Sequence, residues 1–206
     1  MDAARREIDA FYPIVPDLAW LERILPLGVR TVQLRLKDVP PAEVRRQIAA
    51  AREAAARTGC TLIINDYWRE AIEAKCNWVH LGQEDLADAN VALIKAAGLK
   101  LGISTHSPEE LDVALAARPD YVALGPIWET RLKAMKWAPQ GLDRVRDWKS
   151  RIGALPLVAI AGITLERAPS VLAAGADSCA VITDFLTNAD PEGRIRAWQA
   201  WSDRQV

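Results

Sequence analysis

Thr31-Val32-Gln33-Leu34-Arg35-Leu36-Lys37-Asp38 alternates polar and apolar side chains with period two, the pattern of a strand with two unlike faces. Gln33, Arg35 and Lys37 fall on one face, and Val32, Leu34 and Leu36 on the other. An ordinary half-buried strand would turn its polar face to water. Other strand candidates, Thr61-Leu62-Ile63-Ile64, Tyr121-Val122-Ala123-Leu124 and Leu155-Pro156-Leu157-Val158-Ala159-Ile160, are almost wholly apolar, as strands are in a parallel sheet covered on both sides. Inside such a sheet a row of amide, guanidinium and ammonium groups is costly unless something anionic meets it. The stretch therefore predicts both a covered sheet and an anion site.

Outward from it, strand and helix patterns alternate without a linker. Phe11 to Val15 reads as a strand and Leu18 to Leu25 as a helix. Ala42 to Arg57 is helical by the spacing of Val44, Ile48, Ala51 and Ala55, and Gly59 ends it. Strands follow at 61–65, 78–81, 99–104, 121–124, 155–160 and 179–182. Helices are expected at 67–74, 86–97, 142–151 and 164–174, with a last one through Trp201. Another opens at Ser107-Pro108-Glu109-Glu110, which supplies an N-cap, an N1 proline and a capping-box glutamate. A basic loop spans 125–140. About eight strand–helix units of about 25 residues fit a single closed (β/α)8 TIM barrel over residues 1–206. An open doubly wound sheet is the rival, but the glycine fingerprint it usually carries after its first strand is missing.

The 206 residues suffice for one large core, and half of them are hydrophobic. A net charge of −1 gives no general attraction to nucleic acid or to an anionic membrane, so a basic site must be local. Cys60, Cys76 and Cys179 show neither pairing nor metal spacing, which suits reduced thiols in the cytoplasm. Arg5-Arg6 is followed by no long apolar segment, so neither a secretion signal nor an anchor is expected.

In a barrel of this kind the chemistry belongs at the carboxyl ends of the strands. Arg35 and Lys37, Asn65-Asp66, Gly82-Gln83-Glu84-Asp85, Ser104-Thr105-His106, Thr130 and Lys133, Ala161-Gly162-Ile163-Thr164 and Ile182-Thr183 lie there. No serine–histidine–acid or cysteine–histidine arrangement stands out. Asp66 and Asp85 among anion-binding cations would repel each other and the ligand, unless a Mg²⁺ between them reverses the sign. Read singly, Asp66 is a helix N-cap and Asp85 a solvated loop residue. Gly162 and Thr183, each before a helix, offer backbone N–H groups to a second phosphate, although Gly162 also reads as a tight turn. Two phosphate sites in one mouth, one with metal, imply a transferase joining a diphosphate-bearing donor to a phosphorylated acceptor.

Gln33-Leu34-Arg35-Leu36-Lys37, Asn65-Asp66, His80-Leu81-Gly82-Gln83-Glu84-Asp85, Gly102-Ile103-Ser104-Thr105-His106, Leu124-Gly125-Pro126-Ile127 and Gly162-Ile163-Thr164 occur in order. Together they resemble the thiamine-phosphate synthase family from about Phe11 to Phe185. The resemblance implies a (β/α)8 barrel that joins a hydroxymethylpyrimidine diphosphate to a thiazole phosphate. It implies that Gln33, Leu34, Arg35, Leu36, Lys37, Asn65, Ser104 and Lys133 hold the pyrimidine diphosphate, and that Asp66 and Asp85 hold Mg²⁺. Thr130, Arg131, Leu132, Gly162, Ile182 and Thr183 are then expected to hold the thiazole phosphate. Arg35, Lys37 and Lys133 are the catalytic cations. No general base is needed, and His80 and His106 are assigned supporting roles. Partners are small-molecule substrates, not nucleic acid or membrane, with a homo-oligomer left open.

The chain departs from the family pattern at Glu129-Thr130-Arg131-Leu132-Lys133, where Leu132 replaces a threonine, at Ala161, which replaces a frequent glycine, and at Lys75-Cys76-Asn77-Trp78. A thiazole tautomerase of the same fold and an inactive phosphate-ligand binding protein are the alternatives. The joint presence of Arg35, Lys37, Asp66, Asp85 and Lys133 argues against the tautomerase.

Overall fold

The computed structural model describes residues 7–129 and 137–205. Eight parallel strands among them close into a barrel in the order β1 to β8, each paired with its neighbours in sequence and β8 with β1. They are β1 Phe11–Val15, β2 Thr31–Leu34, β3 Thr61–Asn65, β4 Trp78–Leu81, β5 Lys100–Thr105, β6 Tyr121–Leu124, β7 Leu157–Ile160 and β8 Ser178–Val181. The helices that position the mouth are α1 Leu18–Ile24, α2 Pro41–Thr58, α3 Trp68–Glu73, α4 Gln83–Asp88, α5 Val91–Ala96, α6 Pro108–Ala116, α7 Gly141–Ile152, α8 Ala168–Ala173, α9 Thr183–Leu186 and α10 Pro191–Ser202. The expected (β/α)8 barrel is the observed one. Among the described residues no helix is long and apolar enough to cross a membrane.

Period-two alternation divides the core into two layers. Val32, Leu34, Val79, Leu101, Val122 and Ala159 face outward and pack against helices with Ile48, Leu111, Val145 and Trp148. Tyr12, Ile14, Ile63, Trp78, Tyr121, Ala123, Val158 and Ala180 fill the barrel interior. Removing a large outer-layer side chain such as Leu34 would cost about 2–5 kcal/mol.

Several boundaries differ from the sequence reading. β2 ends at Leu34 rather than continuing to Lys37. Arg35 N–H still donates to Val15 O at 2.9 Å, but β1 ends there. The helix expected over 86–97 is two, because Asn90 caps α5 by accepting from Leu93 N–H at 3.0 Å. The first of them, α4, starts at Gln83, which places Asp85 in its opening turn and not in a loop. Helix α8 begins at Ala168, four residues after Thr164, whose carbonyl accepts from Arg167 and Ala168 in a separate turn. Ser107 does cap α6, while the Glu110 carboxylate reaches back to His106 N–H.

Candidate active site

A cleft of about 360 Å³ opens at the carboxyl ends of the strands, lined by Ile14, Arg35, Ser104, His106, Gly125, Pro126, Ile160, Gly162, Ala180, Ile182 and Thr183. A smaller cavity of about 110 Å³ continues into the barrel past Gln33, Arg35, Asn65, His80, Ser104 and Ile182. Of the predicted residues, Gln33, Arg35, Asn65, Ser104, Gly162, Ile182 and Thr183 thus come together around one connected space. Leu34 and Leu36 do not: both side chains are buried in the outer core layer. Thr130, Arg131, Leu132 and Lys133 lie outside the described residues.

Beside the cleft stand the charged residues. Lys37 Nζ lies 2.5 Å from Asp66 Oδ2. Asp85 is pushed up from the usual carboxylate range, first by partial burial and then by the charge of Asp66, whose side chain also hydrogen-bonds to it; Lys37 acts in the opposite sense. Two carboxylates in contact, with an ammonium as their counter-charge, form a donor pair that fits a hard divalent ion. Mg²⁺ is held by one or two carboxylates and completes its octahedron with water and phosphate oxygens. Asp66 is no helix cap: it sits in the left-handed region at φ 65 immediately after β3, and its N–H donates to His80 O at 2.9 Å. Aspartate tolerates this conformation better than most residues, and strain of this kind gathers at functional sites.

The opposite wall is built on backbone. Gly162 has φ +68, and a Cβ there would stand 2.6 Å from Trp128 Cβ and 2.8 Å from Glu129 O, so only glycine lets the segment after β6 cross it. Ala161 shares the left-handed conformation at φ 76, which is where the family's glycine is missing. Arg167 donates to Gly162 O at 2.6 Å and lies over the Trp128 ring. Thr183 opens α9, and next to it Asp184 accepts from Arg194 and from Trp198 Nε1 at 2.7 Å. Arg194 also holds Glu166, so one guanidinium ties the segments after β7 and β8 together. This clamp has no local signature, since its members are 28 and 10 residues from Arg194.

His106 Nδ1 lies 2.7 Å from Glu110 Oε2, and its ring stacks on Trp137. His80 is buried, bonded to Tyr121 and Ser104, and its pKa is pushed down to about 4, mainly by burial. Neither Tyr12 nor Tyr121 was anticipated as part of the site. Their only sequence signal is a phenol placed on the inward face of β1 and of β6.

The fold and the mouth define a class: a (β/α)8 barrel with a largely apolar cleft at the carboxyl ends of its strands, Arg35 in its wall and Lys37, Asp66 and Asp85 beside it. The Thiamine monophosphate synthase family matches the chain over residues 11–185. The chain is 60% identical to the thiamine-phosphate synthase of Rhizobium etli over 193 residues, 94% of this chain and 95% of that protein. It is 48% identical to the thiamine-phosphate synthase of Neisseria meningitidis over 193 residues, 94% of each chain. Among solved structures, a thiamine phosphate pyrophosphorylase from Pyrococcus furiosus superposes with a TM-score of 0.83 at 23% identity, covering 99% of this chain and 100% of that one. The chain belongs to the thiamine monophosphate synthase family. The tautomerase and binding-protein alternatives find no support among these relatives.

Proposed function

We infer that the chain is a thiamine-phosphate synthase, a transferase that joins 4-amino-2-methyl-5-hydroxymethylpyrimidine diphosphate to a thiazole phosphate. The observation that carries the reading is the 60% identity to the Rhizobium etli enzyme across 94% of the chain. The mouth supports it with an apolar cleft between a cationic, carboxylate-bearing side and a backbone-lined side. The C–O bond between the pyrimidine methylene and the diphosphate breaks, and the departing oxygen keeps the electron pair. The thiazole nitrogen then gives its lone pair to the methylene carbon. The nitrogen's lone pair is already free, so no proton need be removed from the nucleophile and the reaction asks for no general base.

Arg35 and Lys37, with Lys133, stabilise the negative charge that grows on the leaving group, an effect strongest in the transition state. Asp66 and Asp85 would hold Mg²⁺, which neutralises diphosphate oxygens when bound. Gln33, Asn65 and Ser104 orient the pyrimidine, while Thr130, Arg131, Leu132, Gly162, Ile182 and Thr183 receive the thiazole phosphate, so both rings are aligned for attack. The three cysteines, an odd count without close spacing, support a cytoplasmic location. Product formation from both substrates, with and without Mg²⁺, tests the reading. Full turnover with metal verifiably removed would refute the metal assignment, and no turnover under any metal condition would refute the activity.

A further inference from the structure

A continuous run of hydrogen bonds crosses the barrel beneath the cleft. Gln33 Nε2 lies 2.8 Å from the Tyr12 hydroxyl, and that hydroxyl lies 2.9 Å from the Tyr121 hydroxyl. Tyr121 Oη is 2.8 Å from His80 Nδ1, and His80 Nε2 is 2.8 Å from Ser104 Oγ. The two ends of the run are residues assigned to the pyrimidine, so its role in selecting that ring rests on the proposed function. The three middle members line the inner cavity and not the larger cleft above it.

Each link dictates the next. With the Gln33 amide nitrogen turned to the phenol, Gln33 donates and the Tyr12 oxygen accepts, and this orientation sets the sense of the whole run. The Tyr12 proton then goes to the Tyr121 oxygen, and the Tyr121 proton to His80 Nδ1. A neutral imidazole whose Nδ1 accepts carries its proton on Nε2, where it meets Ser104 Oγ. Burial keeps the ring neutral. Reversing one link alone would leave a buried phenol proton without an acceptor, which is costly. The Ser104 oxygen is thereby engaged as an acceptor from below, and its own proton is released toward the cleft. Gln33 keeps its amide oxygen for another partner. The room for this arrangement is specific: a Cβ on Gly102 would stand 2.1 Å from Tyr121 Cζ and 2.5 Å from its hydroxyl oxygen. A second bond, from Gln83 Nε2 to Ser104 O at 2.7 Å, fixes the backbone of the serine.

We propose that Tyr12, Tyr121 and His80 are positioning residues that set the polarity of the cleft floor, holding Gln33 as acceptor and Ser104 as donor so that the site selects a ring edge with an amino group and a bare ring nitrogen. An oxo ring presents the opposite pattern along the same edge, with an acceptor and an N–H where the floor expects a donor and a bare nitrogen. Discrimination between the two rings then depends on groups that neither ring touches.

The test uses the full chain labelled with ¹⁵N-histidine, which carries two histidines. In the wild type, free and with the aminopyrimidine diphosphate alone, His80 should show a protonated Nε2 and a bare Nδ1. Tyr121→Phe keeps the ring and removes one hydroxyl. It should mix the His80 tautomers, weaken the aminopyrimidine diphosphate about tenfold, the scale of one lost hydrogen bond, and leave inorganic diphosphate binding unchanged. Its preference over the 4-oxo analogue should shrink as well. Tyr12→Phe should weaken the same ligand while the His80 tautomer is retained, because the Tyr121 proton still reaches Nδ1. A wild-type His80 protonated on Nδ1, or tyrosine variants with unaltered ring preference, would overturn the proposal. If inorganic diphosphate binds the wild type but the aminopyrimidine diphosphate binds no better, the substrate assignment fails instead, and the tautomer still decides whether the run has this direction.

Discussion

Acidification should destabilise this barrel through His80. The imidazole is enclosed by the strands, and burial foremost, then the opposing influences of Asp66 and Arg35, leaves its pKa lowered from 6.5 to about 4. Between those values the unfolded chain binds a proton that the folded chain refuses. Stability therefore rises with pH across the window and is lost as the pH falls through it. A drop from 6.5 to about 4, at about 1.4 kcal/mol per pH unit, withdraws about 3 kcal/mol by the acid end. That is a substantial share of the 5–15 kcal/mol typical of a folded domain. Urea unfolding measured from about pH 7.5 to about pH 4, on the wild type and on His80→Gln, isolates the contribution. Carboxylates contribute equally to both proteins. Glu166, held down to about 2 chiefly by Arg194, withdraws its share only as the pH falls below about 4.5. The wild type should lose about 3 kcal/mol more than the variant across the window. Parallel loss in the two proteins would refute the reasoning.

Gly162→Ala must place a Cβ 2.8 Å from Glu129 O at φ +68, and should destabilise by about 1–3 kcal/mol. Binding assays should show the thiazole phosphate weakened more than the pyrimidine diphosphate. Ala161→Gly relieves a left-handed alanine at φ 76 and should stabilise by about 0.5–1 kcal/mol after the added chain entropy, read as a higher urea midpoint. Arg35→Met removes a cation at the cleft while keeping bulk, and kcat should fall along with affinity, because leaving-group charge grows in the transition state. Weaker binding with an unchanged kcat would make Arg35 a docking residue only.

The barrel itself was legible because its determinants are local and periodic. Val32 and Leu34 against Gln33, apolar strands on both sides and eight alternating units specify covered parallel strands whatever their neighbours do. The ordered motifs also located Arg35, Asp66, Ser104 and Gly162 at strand ends. Other features depend on partners far along the chain. β2 stops at Leu34 because β1 has run out beside it, which no property of Arg35-Leu36-Lys37 reveals. Leu34 and Leu36, taken from the motif as substrate contacts, turn their side chains into the outer core layer. The split at Asn90 hung on a single cap, which a helical period of apolar residues conceals. The apposition of Asp66 with Asp85 and the Arg194 clamp arise only when barrel closure brings separate loops to one rim. The same holds for the run from Gln33 through Tyr12, Tyr121 and His80 to Ser104, which draws on five strands. Period and propensity act over a few residues and leave their mark in the sequence. Hydrogen-bond direction and the meeting of charges are set by distances that exist only once the barrel has closed.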